Sequence, residues 1–471
     1  MSFEPIKLCP SGPREVIDET KARAMVESWR SQLQAHQSKI ANDTDDETAV
    51  PVLCDSLNLS DKSYTAASAR IIAEFITSSD ESFPTPIATT LKYVDLHDVI
   101  ASQEETVGLE VLQTFSEMLS TSKLIEVDLS DNAMGSKGVT ACATILGGVP
   151  VIHTLERLSL CNNGLSRYTM DEVADLLTQE NDGCCIAMNL TKLHFYNNMS
   201  GNEGCVAFER ILNKCSDKLV DVRFSGTRAG SEGSKHITDA LKDLSDSGKL
   251  QNLVRLDLAD NTFSEEVSYT GLADALKTCT KLTHLNINDC SLGDEGIELI
   301  CMALLESKAN LHEFIIGGNE ITASGAKLIA KVVKLLGKNI TRFSAEDNEL
   351  TSRGVKRIVD SIGPDYDIQT LLFNFCECGV IGGEAILEMA SRLNGENNIQ
   401  RLELNGNAYS ETLVEKLEET FGDSLVEMED NDEEEDPDAD LEEESESEED
   451  NEEDKDEDID ALAEELGQIG M

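Results

Sequence analysis

The chain has 471 residues, 38 Lys and Arg against 91 Asp and Glu, and a formal net charge of −53. A surface this acidic repels phosphate backbones and anionic bilayers, which argues against nucleic-acid and membrane partners, and no apolar run approaches the ~20 residues of a membrane helix. Hydrophobic residues make up 40% of the chain and aromatics only 4%, so a large core is expected and it must be aliphatic.

Residues 1–52 read as an N-terminal helical cap and linker. Pro5, Pro10 and Pro13 mark an irregular start, DETKARAMVESWRSQLQAH follows as a helix, and ANDTDDETAVP links it onward. From 53 to 426 the frame LxxLxLxxNxL recurs. Two degenerate copies come first, LCDSLNLSDKS at Leu53 and LKYVDLHDVIA at Leu91. Clear copies then begin at Leu124, Leu155, Leu190, Leu219, Leu253, Leu282, Leu311, Ile340, Ile368 and Ile399, to make roughly twelve repeats. Their starts are 28 to 35 residues apart, at or beyond the long end of the leucine-rich range, with room for a full helix between strands. DEGIELICMALLESK carries Ile297, Ile300, Cys301, Leu304 and Leu305 on one helical stripe. The spacing predicts an α/β leucine-rich-repeat solenoid, a ribonuclease-inhibitor-like horseshoe with a parallel inner sheet and outer helices.

Within each repeat the frame assigns places. Strand residues alternate, so Leu158 and Leu160 point inward while Ser159 and Cys161 line the concave face. Asn132, Asn163, Asn198, Asn261, Asn319, Asn348 and Asn407 lie where the strand turns away, and their amides can satisfy backbone groups of stacked turns. Cys290 and Cys376 fill the same slot. The residue just before it sits on a rim: Asp131, Asn162, Asn197, Gly226, Asp260, Asp289, Gly318 and Asp347. Four of these eight are Asp, which predicts an acidic edge suited to a basic protein face.

The chain carries no GxxxxGK[ST], GxGxxG, HExxH or GxSxG motif, and its His and Cys residues show no metal-ligand spacing. His194 and His284 fall at concave strand positions and read as partner contacts. The 13 Cys are scattered and no apolar leader precedes them, so reduced thiols in a cytoplasmic, or perinuclear, protein are expected. Residues 427–471 read as a disordered acidic tail, with 26 Asp and Glu against Lys455 between 427 and 465. At its end Ile459, Leu462, Ala463 and Leu466 stand at helical spacing.

LIEVDLSDNAMGSKG, FYNNMSGNEG, SGTRAGSEG, LDLADNTF and LNINDCSLGDEG, followed by an acidic tail, resemble Ran GTPase-activating proteins, the plant-type ones most of all. The resemblance implies stimulation of GTP hydrolysis by the small GTPase Ran in its GTP form, alone or together with a Ran-binding protein, in support of nucleocytoplasmic transport. GTP and Mg²⁺ would be held by the GTPase, with no cofactor of the activator's own. Members supply no arginine finger and orient Ran's own glutamine through an Asn, which in LSLCNNGLS matches Asn162. Asp131, Asn197, Arg228, Asp260, Asp289 and Asp347 are then expected as partner contacts. Two features depart from the pattern: Gln103 stands where plant-type members carry an arginine, and the N-terminal WPP targeting domain is missing, so no envelope anchor is expected. A monomer is expected. The competing reading is a non-catalytic leucine-rich-repeat scaffold or inhibitor.

Overall fold

The computed structural model describes residues 4–43, 52–393 and 398–432. Contacts divide the chain into two compact units, Met1–Leu244 and Ser245–Met471, where the sequence reading has a single repeat domain over 53–426.

In the first unit, β1 (Ile6–Leu8), β3 (Cys54–Asn58), β5 (Tyr93–Asp95), β6 (Glu126–Asp128), β7 (Arg157–Ser159), β8 (Lys192–His194) and β9 (Asp221–Arg223) pair in parallel, each with the next. A two-residue pair, β2 (Val16–Ile17) and β4 (Ser63–Tyr64), lies apart. In the second unit, β10 (Arg255–Asp257), β11 (His284–Asn286), β12 (Glu313–Ile315), β13 (Arg342–Ser344), β14 (Thr370–Leu372) and β15 (Arg401–Glu403) do the same. Helices alternate with the strands, as in Gly201–Leu212 and Gly293–Ser307. Each unit is an α/β leucine-rich-repeat solenoid.

The register follows the leucine frame. Val127 pairs with Leu158, Leu158 with Leu193, and Phe314 with Phe343. Like stacks on like, so the buried rows are continuous and apolar, aliphatic at Val127, Leu158 and Leu193 and aromatic at Phe314 and Phe343, and the expected helical stripe of Ile297, Ile300, Cys301, Leu304 and Leu305 is buried. The Asn ladder closes the turns. Asn163 Oδ1 accepts from Asn132 N at 2.9 Å, and Asn198 Oδ1 from Asn163 N at 3.0 Å. Asn319 Nδ2 donates to the carbonyls of Ile287, Ile316 and Gly317 at 2.8, 2.9 and 2.8 Å. Cys290 and Cys376 fill the slot with Sγ contacts to Leu258 O at 3.5 Å and Ala345 O at 3.3 Å.

Three details differ from the sequence reading. Leu57, not Ser56, pairs with Val94, so the first frame begins at Cys54 rather than Leu53. Lys62 then stands in the Asn slot. It is 2% exposed, and its Nζ donates to Gly12 O at 2.9 Å and to Pro13 O. The N-terminal segment also supplies a strand, β1, besides its helix Glu19–Asp43, whose Trp29 is fully buried and donates to Cys9 O at 3.0 Å.

At the other end, residues 427–432 lie against the last repeat although the sequence reading gives them to the tail. Asn431 Oδ1 accepts from Tyr409 N at 2.9 Å, as a ladder Asn would, and Asp432 N donates to Asn407 O at 3.0 Å. The rest of the tail, 433–471, lies outside the described residues, as does most of the linker.

Candidate functional site

The rim slot before each ladder residue is a backbone feature first. In the first unit Asp61, Asp98, Asp131, Asn162, Asn197 and Gly226 all have φ between 50 and 64°. In the second, Asp260, Asp289, Gly318, Asp347, Phe375 and Gly406 have φ between 51 and 68°. This is the left-handed region, which Gly enters freely, Asn and Asp tolerate, and other side chains resist. The recurrence of Asp therefore has a conformational cause that the charge reading does not need. The N–H of this residue donates to the next repeat, as from Asn162 to Tyr196 O and from Asp289 to Gly317 O, both at 2.9 Å. At Gly318 a Cβ would lie 2.0 Å from Asp289 Oδ1, so any other residue there would have to displace the Asp289 side chain.

A test separates conformation from charge. Asp289→Val should lower the stability of the second unit by about 1–2 kcal/mol, because a β-branched residue must enter the left-handed well, whereas Asp289→Gly should change it by only a few tenths. Denaturant midpoints report both variants. Equal losses would remove the conformational account.

On the first unit, Asn162 is exposed while Asn163 beside it is buried. Asn162 Nδ2 donates to Asp131 Oδ1 at 2.6 Å. The amide is thus held by one end, with Oδ1 as its remaining acceptor. Asn197 is exposed on the next repeat and Arg228 is exposed with φ 59°. The structure brings Asp131 and Asn162 into contact.

Sequence reasoning missed the upstream part of this edge. His97 Nε2 lies 3.7 Å from Asp61 Oδ1 and 4.0 Å from Asp131 Oδ2, and its Nδ1 lies 3.9 Å from Asp95 Oδ1. Arg14 bridges to Asp98 at 2.7 Å. Burial pushes the carboxyls of Asp95 and Asp98 up. Starting the first frame at Cys54 would have put Asp61 in the rim slot and exposed this cluster.

The adjoining concave face is partly closed by its own side chains. Arg157 Nε donates to Glu126 Oε2 at 2.9 Å, and its guanidinium stands 5.6 Å from the Tyr93 ring centre. The Arg223 guanidinium covers the Tyr196 ring at 4.5 Å. His194 is 8% exposed, with Nε2 at 2.8 Å from Asp221 Oδ1. Burial lowers its pKa, against the opposing pull of Asp221. Ser159 and Cys161, expected to line this face, are 4% and 2% exposed. The correction has a simple cause for Ser159: its paired neighbours are the larger Asp128 and His194, and the small side chain sits below them. Burial likewise pushes the Cys161 thiol up to about 11.

On the second unit Asp260, Asp289 and Asp347 are exposed. Burial, then the charge of Asp289, raises the carboxyl of Asp347. Burial also raises Glu346, reinforced by Glu403 and Asp347, although Asn374 Nδ2 donates to its Oε2 at 3.0 Å. His284 stacks on His312 with ring centres 6.2 Å apart.

A carboxyl raised on folding costs stability above its folded pKa, and the cost disappears as pH falls toward the unfolded value. Glu346→Gln should therefore be more stable than the natural chain near about pH 8, the gap closing toward about pH 4. Unfolding midpoints across that range check it. A gap of constant size would show that the charge is not the cause.

The family described as "Leucine Rich repeat" matches residues 122–141, 278–301 and 307–330. NACHT, LRR and PYD domains-containing protein 3 of Macaca mulatta is 23% identical over 294 residues, 62% of this chain and 24% of that protein. RAN GTPase-activating protein 1 of Arabidopsis thaliana is 36% identical over 104 residues, 22% of this chain and 17% of that protein. The chain thus spans about a quarter or less of the length of these relatives. Among solved structures, the TLR13–ssRNA13 complex aligns at TM-score 0.35 and 14% identity, over 81% of this chain and 56% of that one. The three matched segments agree with the leucine-rich-repeat fold of the two units, and among the described residues no helix is long and apolar enough to cross a membrane.

Proposed function

We propose that the chain is an activator of a Ran-type small GTPase, binding its GTP form and working on the partner's active site without an enzymatic centre of its own. Two things support this reading. One is the partial match to the Arabidopsis protein named for that activity. The other, which carries the mechanism, is an exposed amide at Asn162 whose Nδ2 is anchored on Asp131 at 2.6 Å.

In the proposed mechanism the GTPase holds nucleotide and Mg²⁺ and provides the glutamine that orients the attacking water. Asn162 Oδ1 accepts from that glutamine's amide and fixes it. The gain comes from restricting a group that otherwise samples many orientations. Asp131 acts through Asn162 as a positioning residue. Asn197 and Arg228 on the first unit, and Asp260, Asp289 and Asp347 on the second, are proposed contacts to the partner. Arg228 is assigned to docking rather than to a finger.

The test is GTP hydrolysis by Ran with a catalytic amount of this protein. Many turnovers per activator support the reading. Tight one-to-one binding with no rise in hydrolysis would instead identify a scaffold or inhibitor, the alternative favoured by the matches to NACHT, LRR and PYD domains-containing proteins.

A further inference from the structure

A chain with net charge −53 carries a cationic groove on the helices of its second unit. The groove measures about 880 Å³ and runs beside helices Ala326–Leu336, Thr351–Asp360 and Val380–Arg392. Lys327, Lys331, Lys334, Arg357 and Arg392 line it against a single carboxylate, Asp360. The lining also carries apolar surface from Leu328, Leu335, Pro364 and Tyr366, with Leu335 53% exposed. Tyr366 is fixed there, its hydroxyl donating to Lys334 O at 2.8 Å. A groove with cations around apolar surface fits a segment with acids around an apolar stripe.

The chain contains such a segment. Ile459, Leu462, Ala463 and Leu466 repeat at helical spacing, and Asp460, Glu464 and Glu465 lie between them with no Lys or Arg from 459 to 471. The described fold ends in the second unit at Asp432, bonded to Asn407 O. The 27 positions from there to Ile459 span at most about 90 Å, and a tether of that length holds its end at roughly millimolar effective concentration. A weak contact is then enough for occupancy.

We propose that this groove is the docking site of the chain's own C-terminal segment, residues 459–470, seated with its apolar stripe on Leu335 and Tyr366 and its acids against Lys327, Lys331 and Lys334. The tail is thereby a reversible intramolecular ligand of the second unit. Its seat is sensitive to salt, because exposed ion pairs weaken as the screening length shortens.

Zero-length carbodiimide coupling of the full chain, read by peptide mass spectrometry, tests this. Glu464 and Glu465 should couple to Lys327, Lys331 and Lys334 in preference to exposed lysines elsewhere, such as Lys137 and Lys281. The preference should fall by about tenfold or more in the full-length double variant Leu462→Gln/Leu466→Gln, which breaks the apolar stripe and leaves the acids unchanged. Hydrogen exchange in helix Ala326–Leu336 should quicken in the same variant. Couplings spread over all exposed lysines, or exchange rates identical in both chains, would overturn the proposal. So would couplings found only between differently isotope-labelled copies, which would make the occupant a second molecule.

Discussion

Replacing Asn162 by Ala or by Gly is expected to lower activator-stimulated GTP hydrolysis by about 10²-fold or more, the usual cost of removing one positioned polar group from a transition state. Two variants are needed because the position has two properties. Its φ of 50° makes Ala mildly strained, while Gly adopts that conformation freely. A loss common to both is therefore a loss of the amide. Single-turnover rates at saturating activator report it, with binding to the GTP-loaded partner measured alongside. A third variant sharpens the reading. Asn162→Asp keeps size and backbone preference but sets a carboxylate beside Asp131 Oδ1, which now receives a donated hydrogen bond at 2.6 Å. Like charges at that distance repel, so this side chain should swing away and the variant should match Ala despite its similar shape. Wild-type turnover in the Gly variant would dismiss Asn162 from the mechanism and leave the fold untouched.

The second large effect is structural. Asn319→Ala should destabilise the second unit by at least about 3 kcal/mol. The substitution strips acceptors from Cys290 N and Leu292 N, bonded at 3.1 and 3.3 Å, and the donor from three carbonyls. Asn319 is fully buried, so water cannot replace it without opening the turn. The chain supplies its own control. Cys290 and Cys376 occupy the equivalent slot and still reach carbonyls through sulfur. Asn319→Cys should therefore lose less than Asn319→Ala, by roughly 1 kcal/mol. Urea midpoints of the second unit decide the order. If Ala and Cys were equal, the sulfur contacts would be without weight, and a loss below about 1 kcal/mol in both would make the ladder bonds incidental to stability.

The solenoid was legible because its spacing is written in leucine. From Leu124 onward the paired strands follow the frame, as Val127 does with Leu158 and Leu285 with Phe314. Where the frame lost its Asn, the sequence misled. Ser56 and Leu57 both offer a plausible register, and only the contact of Lys62 with carbonyls 49 and 50 positions away explains why a lysine replaces the ladder amide. No local pattern carries that information. Strand β1 is three residues long and too short to show a period. Asn431 was hidden by the acids around it, although it takes up the ladder bond to Tyr409 N.

The candidate site was legible in its chemistry but not in its cause. The alternation of exposed Asn162 and buried Asn163 follows from the frame, whereas its link to Asp131 depends on the distance between adjacent turns. Asp at the rim looked like charge placed for a partner. The dihedrals give the same residues a conformational reason, and Phe375, at φ 51° and 47% exposed, shows that the geometry is kept even where the side chain is poorly suited to it.

That left-handed turn also limits what the edge of either unit can present. None of its twelve occupants is Lys or Arg. The side chains that fit best are an acid, the isosteric amide, or hydrogen. Exchanging one for another alters local charge by one unit or none while the chain path stays the same. The turn therefore behaves as a graded electrostatic dial: substitutions among Asp, Asn and Gly can tune encounter rate and salt sensitivity step by step.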